Sequence, residues 1–375
     1  MPRHRKPVSK RRRGFTLIEL LVGIAAMLIA VLGALLIYVR SNKASVEQQM
    51  VTELQNDVRS SMYFVSRDLR MAGVGIPPEF AGFYLMGTDN EDQGGGGEVL
   101  PDRIWLLGNY DDPLNLIIDS YQGGQGGGSE NVKLKVQSLE QYPYPDEFYD
   151  NKFVLVLPNP ASPCRTGYFR TVSQVIHDRN GNNEGLGFAP GQAPGINPPG
   201  GLVQGVCASD DFDGGMVTFA NVKEYWLDTT GNFGLNTAEG YIGGPEGIGV
   251  FYCTTVIERT LAHLPIARNI ENFQLEYNGD MDGDTVLDGW SPWNPAWMTD
   301  EITRIQQVRI MLLGRTPQPF TSIGAVPTGG IHAYRRPLMS NSPAAAADDK
   351  HRRFLLESSS NVRNMTLNLY NIGQR

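Results

Sequence analysis

Cysteine and histidine are scarce in this chain of 375 residues, which has three of the first and five of the second. Cys164, Cys207 and Cys253 do not fall at the paired spacing of a zinc site. His4, His177, His263, His332 and His351 are scattered, and no H-E-x-x-H occurs. The G-x-S-x-G elbow and the Walker A loop are missing as well. Local motifs for nucleophilic, zinc-dependent or nucleotide-dependent catalysis are therefore absent, and nothing points to an enzyme. Basic charge is scarce beyond the start. Seven of the 32 basic residues precede Gly14, which leaves 25 against 40 acidic ones, a net of −15. An acidic body of this kind argues against nucleic acid as the main partner. Long apolar runs are lacking too, with one exception.

That exception is Phe15 to Val39, 25 residues whose single charge is Glu19. As a helix it is about 37 Å long, enough to cross a hydrocarbon core of about 30 Å. Arg3, Arg5, Lys6, Lys10, Arg11, Arg12 and Arg13 stand just before it. By the positive-inside rule the N-terminus stays cytoplasmic and the remainder is exported. The run is too long for an ordinary cleaved signal, and no A-x-A-like site closes it. An ordinary signal anchor accounts for everything except Glu19. A carboxylate deep in a membrane costs on the order of 2–3 kcal/mol, so it calls for a partner and a task.

Gly14-Phe15-Thr16-Leu17-Ile18-Glu19 after basic residues resembles the class III signal of type IV pilins and pseudopilins. The resemblance implies cleavage by a prepilin peptidase between Gly14 and Phe15, with methylation of the new amine on Phe15. It implies an assembly role for Glu19, which pairs with the N-terminal amine of a neighbouring subunit. The physics is consistent: two charges that are costly alone in lipid become tolerable together.

The helix should continue past the membrane. Val51, Leu54, Val58, Met62, Val65, Leu69 and Ala72 recur at steps of three and four, one helical stripe. Gln55, Asn56, Arg59, Ser66, Arg67 and Arg70 fill the other face, and Arg67, Asp68 and Arg70 read as a solvated surface. Gly73-Val74-Gly75-Ile76-Pro77-Pro78 is a stop signal. The run Met62 to Gly73 resembles the helix end of PilW-like minor pilins, and His351 to Asn364 resembles the end of their chains.

Residues 76–375 read as a β-rich globular body. Gly94 to Gly97 and Gly123 to Gly128 are glycine-rich loops. Predicted strands are Val132–Val136, Phe153–Leu157, Met216–Trp226, Gly249–Val256, Phe273–Tyr277 and Val308–Leu313. Pro158 to Gly215 reads as long loops or an inserted subdomain. Cys164 and Cys207 bracket most of it and form a candidate disulfide in an exported body; three buried free cysteines are the alternative.

One segment carries candidate metal ligands. Asp280, Asp282, Asp284 and Asp288 stand at positions 1, 3, 5 and 9 of a loop, with the Val286 carbonyl at position 7. Hard cations want clustered oxygens, and this spacing suits Ca²⁺. The match to an EF-hand loop is partial, because Thr285 replaces the glycine of position 6 and Ser291 the glutamate of position 12. PilW-like proteins carry similar turns; a solvated acidic turn is the plain alternative. Asp178 to Glu184 has a weaker version of the rhythm and reads as an Asn-Gly turn. Trp290, Trp293 and Trp297 follow the acidic loop and read as core beneath it.

These readings imply an α+β, pilin-like fold: a basic leader (1–14), a long helix (15–39 transmembrane, 40–75 amphipathic) and an antiparallel β-sheet domain with long glycine-rich loops. They imply a structural minor pilin, anchored in the inner membrane with its body periplasmic and then carried on the pilus or cell surface. Expected partners are major and minor pilins, the prepilin peptidase and the pilus assembly platform. The alternatives are a type II secretion pseudopilin and a calcium-dependent adhesin at the pilus tip.

Overall fold

The computed structural model describes residues 15–77, 81–82, 84–90, 101–110, 115–122, 130–135, 145–164, 166–180, 183–189, 197, 207–228, 249–257, 260–318, 336–342 and 351–362. The leader, both glycine-rich loops and the last residues of the C-terminal run lie outside them.

One helix, α1 (Leu17–Arg70), runs for 54 residues, about 80 Å. Of its expected stripe, Leu54, Val58, Met62, Val65, Leu69 and Ala72 are buried and Val51 is half-buried, while none of the most apolar window is buried against the described residues. A Cβ on Gly23 or Gly33 would meet nothing within 4 Å among the described residues. The helix stops where expected. Gly73 and Gly75 have φ of +76° and +72°, and a Cβ on Gly73 would sit 2.2 Å from the Tyr84 ring.

Among the described residues the body is two seven-stranded antiparallel sheets. The first contains β1 (Leu85–Thr88), β2 (Arg103–Gly108), β10 (Asn221–Asp228), β11 (Gly249–Ile257), β12 (Thr260–Gly279), β13 (Ile305–Arg315) and β14 (Arg353–Asn361), in that spatial order. The second is built from β3 (Asn115–Gln122), β4 (Glu130–Leu134), β5 (Phe153–Leu157), β6 (Tyr168–Thr171), β7 (Gln174–His177), β8 (Asn183–Phe188) and β9 (Met216–Phe219). Its order is β6-β5-β9-β3-β4-β8-β7.

The connection between the sheets explains the architecture. β2 and β10 are antiparallel neighbours, with Gly108 opposite Asn221. The whole second sheet is inserted between these two paired strands. The predicted strand Met216–Trp226 is in fact two strands: β9 lies in the second sheet and β10 in the first, with buried Ala220 at the crossing. The Pro158–Gly215 stretch is not loop alone, because it supplies β6, β7 and β8.

α1 packs across β12, β13 and β14 of the first sheet. Its stripe meets alternating residues such as Phe273, Leu275, Ile310 and Leu312. Gly314 lets the helix approach: a Cβ there would lie 2.5 Å from Leu54 and 2.6 Å from Val58. The second sheet has its own core around Leu116, Ile118, Val154, Val156, Val217 and Phe212. Leu155 and Leu157 point the other way and join the first core, which is why β5 is apolar at every position.

Candidate functional site

The N-terminus of α1 is built by two side chains. Thr16 caps the helix, and its Oγ accepts from the Glu19 amide at 3.3 Å. Glu19 reaches back and accepts from the Thr16 amide at 2.9 Å and the Thr16 hydroxyl at 3.0 Å. This is a capping box, and it puts a carboxylate at the positive end of the helix dipole. Gly14 lies outside the described residues. Phe15 is 88% exposed, and the helix beyond it presents apolar side chains on every side. A helix that is apolar all round needs lipid or other helices about it. The geometry brings Phe15 and Glu19 together at one exposed, charged tip of an apolar rod.

The far end of α1 is clamped to the sheet, and here the sequence reading needs correction. Asp68 is not on a solvated face; it is 1% exposed. Its carboxylate accepts from Arg67 Nε at 2.8 Å, Lys223 Nζ at 2.9 Å and Tyr225 Oη at 2.6 Å. The reason is register: Asp68 directly precedes Leu69 on the buried stripe, and β10 brings a lysine and a tyrosine beneath it. Burial raises the Asp68 pKa, but the hydrogen bonds from Arg67, Tyr225 and Lys223 outweigh it and hold the carboxyl below its ordinary value. Cys253 is buried nearby as a free thiol, and burial pushes its pKa up to about 11.

The acidic loop joins β12 to the short helix Thr299–Ile302. Asp280, Asp282 and Asp288 each place a carboxylate oxygen within 4.8 Å of the others. Asp284 is not part of that group; its carboxylate accepts from the Val286 amide at 2.8 Å. Asp280 is the anchor, 8% exposed, and it accepts from the Gly283 and Thr285 amides at 2.7 and 2.9 Å. Asp288 accepts from Met281, and Asp282 from Asp284. Thr285 has φ of +72°, in the left-handed region that suits the glycine it replaces. The donors are all oxygens of the hard type and they converge, so the residues fit a hard cation. Of the three tryptophans expected as core, Trp293 is buried in it and Trp297 packs half-buried against it, whereas Trp290 is half-buried outside it. Trp293 stands edge-on to Tyr277 and Trp297, and the Arg309 guanidinium lies 4.2 Å over the Trp290 ring.

Cys164 and Cys207 form a disulfide with Cα atoms 5.5 Å apart. It ties the loop after β5 to the segment before β9, inside the second core.

Comparison with known proteins bears on both ends of the chain. Residues 9–35 match the prokaryotic N-terminal methylation motif. Residues 242–364 match the family of type IV pilus-assembly protein W. A similar solved structure is a type IV-like pilin from Thermus thermophilus, 13% identical, covering 39% of this chain and 69% of that one, with a TM-score of 0.20. No curated protein matches.

The apolar rod, its charged tip and the matched methylation motif resemble the N-terminal segment of type IV pilins and fit a membrane-anchored subunit. The second match makes residues 242–364 similar to the family of type IV pilus-assembly protein W, a family of PilW-like minor pilins. That family is structural rather than enzymatic.

Proposed function

We propose that this chain is a minor subunit that initiates or caps a type IV pilus. Prepilin peptidase cuts between Gly14 and Phe15, and Phe15 becomes methylated. Residues 15–39 hold the subunit in the inner membrane with its body in the periplasm until α1 enters the filament. The observation that carries this reading is the tip of α1. Glu19 already bonds the backbone amide of Thr16, one residue from where the cut creates an ammonium. A carboxylate so placed is poised to take the ammonium of a neighbouring subunit, and the exposed apolar length supplies the bundling surface.

Mass spectrometry of the mature N-terminus, with pilus counts in a Glu19→Ala strain, tests this. The expected result is a chain starting at methylated Phe15, and few pili in the variant despite normal membrane levels. A chain starting at Met1 together with normal piliation would overturn it. A secretion defect with normal pili would select the type II pseudopilin alternative.

A second reading rests on the convergence of Asp280, Asp282 and Asp288. These residues would hold Ca²⁺ and stiffen the β12–β13 connection, giving a tip adhesin a calcium requirement. Asp284, expected in the ligand set with the Val286 carbonyl, stands outside the converged carboxylates.

A further inference from the structure

β14 is the last strand of the first sheet, and its outer edge carries no strand among the described residues. Between that edge and α1 lies a groove of about 490 Å³. Arg59, Arg67 and Arg70 line it from the helix, with Leu356 and Ser358 from the strand. Three exposed guanidiniums on one helix face stand out in a body of net charge −15. Among the described residues Arg59 and Arg70 meet no carboxylate: Arg59 stacks over Phe354, and Arg70 bonds the Ser360 hydroxyl. Ser66 also lines the groove; it is 5% exposed, and its hydroxyl has no hydrogen-bond partner among the described residues.

Nor do the described residues protect the edge. Exposed edges are normally blunted by lysine, proline or inward charge. β14 reads RFLLESSSN, and its two charges turn away from α1, Arg353 to Glu271 and Glu357 to Arg309.

We propose that this groove docks an extended, acidic segment of a different pilus subunit, added as a strand on β14 with its carboxylates on the arginines of α1. The proposal rests on the pilin reading above. Strand addition supplies main-chain hydrogen bonds, and side-chain pockets supply selectivity. Arg59 and Arg67, the latter holding Asp68 through Nε while its side chain stays 42% exposed, are eight helical residues apart, about 12 Å. In an extended chain at about 3.3 Å per residue that is four residues, an even number, so both acidic side chains face α1. The partner segment therefore carries Asp or Glu four residues apart. Two copies of this chain fit poorly, because pairing β14 with β14 would set one arginine cluster near the other. Lipid headgroups fit poorly too: Arg59 lies 20 residues beyond Val39, about 30 Å along the helix, several screening lengths from the bilayer.

The test is photo-crosslinking in piliated cells, with p-benzoylphenylalanine placed at position 63, where Tyr63 lines the groove and is 63% exposed. The adduct is mapped to a peptide by mass spectrometry, and the N-terminus of the chain is read from the same sample. The expected adduct is a segment of another pilus subunit with acidic residues four apart. Its yield should fall at least tenfold in Arg59→Glu/Arg70→Glu and persist in Arg59→Lys/Arg70→Lys. An adduct to this same chain, to lipid or to a segment lacking those acids overturns the proposal. So does no adduct, or a yield indifferent to charge reversal. An uncut N-terminus beside the expected adduct would count against the pilin reading and leave the groove assignment standing.

Discussion

Asp68 shows how one residue settles where a long helix ends. Its carboxylate gathers three donors, two of them from a strand 155 residues on. Replacing it with Asn leaves the Lys223 ammonium half-sheltered without its counter-charge. Breaking a buried pair from one side costs about 3 kcal/mol or more. Asp68→Asn should lower the unfolding free energy of the full chain in detergent by about that amount, measured by denaturant titration. The effect depends on pH with a definite sign. The Asp68 pKa is lower folded than unfolded, so its contribution is complete above the ordinary carboxylate value of about 3.9. It disappears as pH falls through the lowered folded value. The gap between wild type and variant should therefore be widest above pH 4 and close on acidification; a constant gap would remove Asp68 as the cause. The sequence could not show this. Arg67, Asp68 and Arg70 look like one solvated run, and the partners Lys223 and Tyr225 are visible only once β10 is placed.

At the scale of elements, legibility followed periodicity. α1 was readable because seven apolar positions keep a 3.6-residue rhythm, and glycines mark its end. β8 was not readable. Its sequence, NEGLGF, has the composition of a turn, yet it is a strand because its neighbours come too close for side chains. A Cβ on Gly185 would lie 2.3 Å from the Val132 carbonyl oxygen, and one on Gly187 2.7 Å from Gln174. Two further elements can be tested. The Cys164–Cys207 bond closes a 43-residue separation within the second core. Chain-entropy reasoning gives it a worth of about 4 kcal/mol at most. Cys164→Ser/Cys207→Ser should destabilise the second sheet by roughly 2–4 kcal/mol, seen as faster proteolysis within β3–β9 than within β10–β14. The acidic loop should respond to calcium. If the converged carboxylates hold it, saturating Ca²⁺ raises the melting temperature of the wild type but not of Asp280→Asn/Asp288→Asn. An unchanged melting temperature with no heat on titration would leave the loop as a self-bonded acidic turn.

Across the whole molecule, the inserted sheet separates two tasks. The first sheet carries α1, the open edge and the acidic loop, and it lies largely within the residues that match the W family. The second sheet hangs from a single pair of strands and has its own core and disulfide. If the insertion is an added unit, the first sheet should survive without it. Gly108 and Asn221 face each other across adjacent strands, which sets Asn109 opposite Ala220, so a three-residue loop of Tyr110 followed by Asn-Gly could rejoin the chain at Ala220. Tyr110 stays in this deletion, because its hydroxyl donates to the Asp68 carbonyl. The loss is real: Leu155 and Leu157 leave the first core, the half-buried Phe169 and Met216 that pack against it go with them, and so does the Thr218 bond to the Gly75 carbonyl. Two leucines of burial are worth roughly 2–3 kcal/mol each, against a domain stability of about 5–15 kcal/mol. The shortened full-length chain should therefore still be processed at Phe15, enter the membrane and protect β10–β14 from protease. Piliation in that strain then tells which sheet assembly needs. Normal pili would assign the second sheet to display beyond the filament, and lost pili with a folded first sheet would assign it to subunit contacts. Global proteolysis of the shortened chain would show that the two sheets fold as one cooperative unit, and the insertion would no longer be separable.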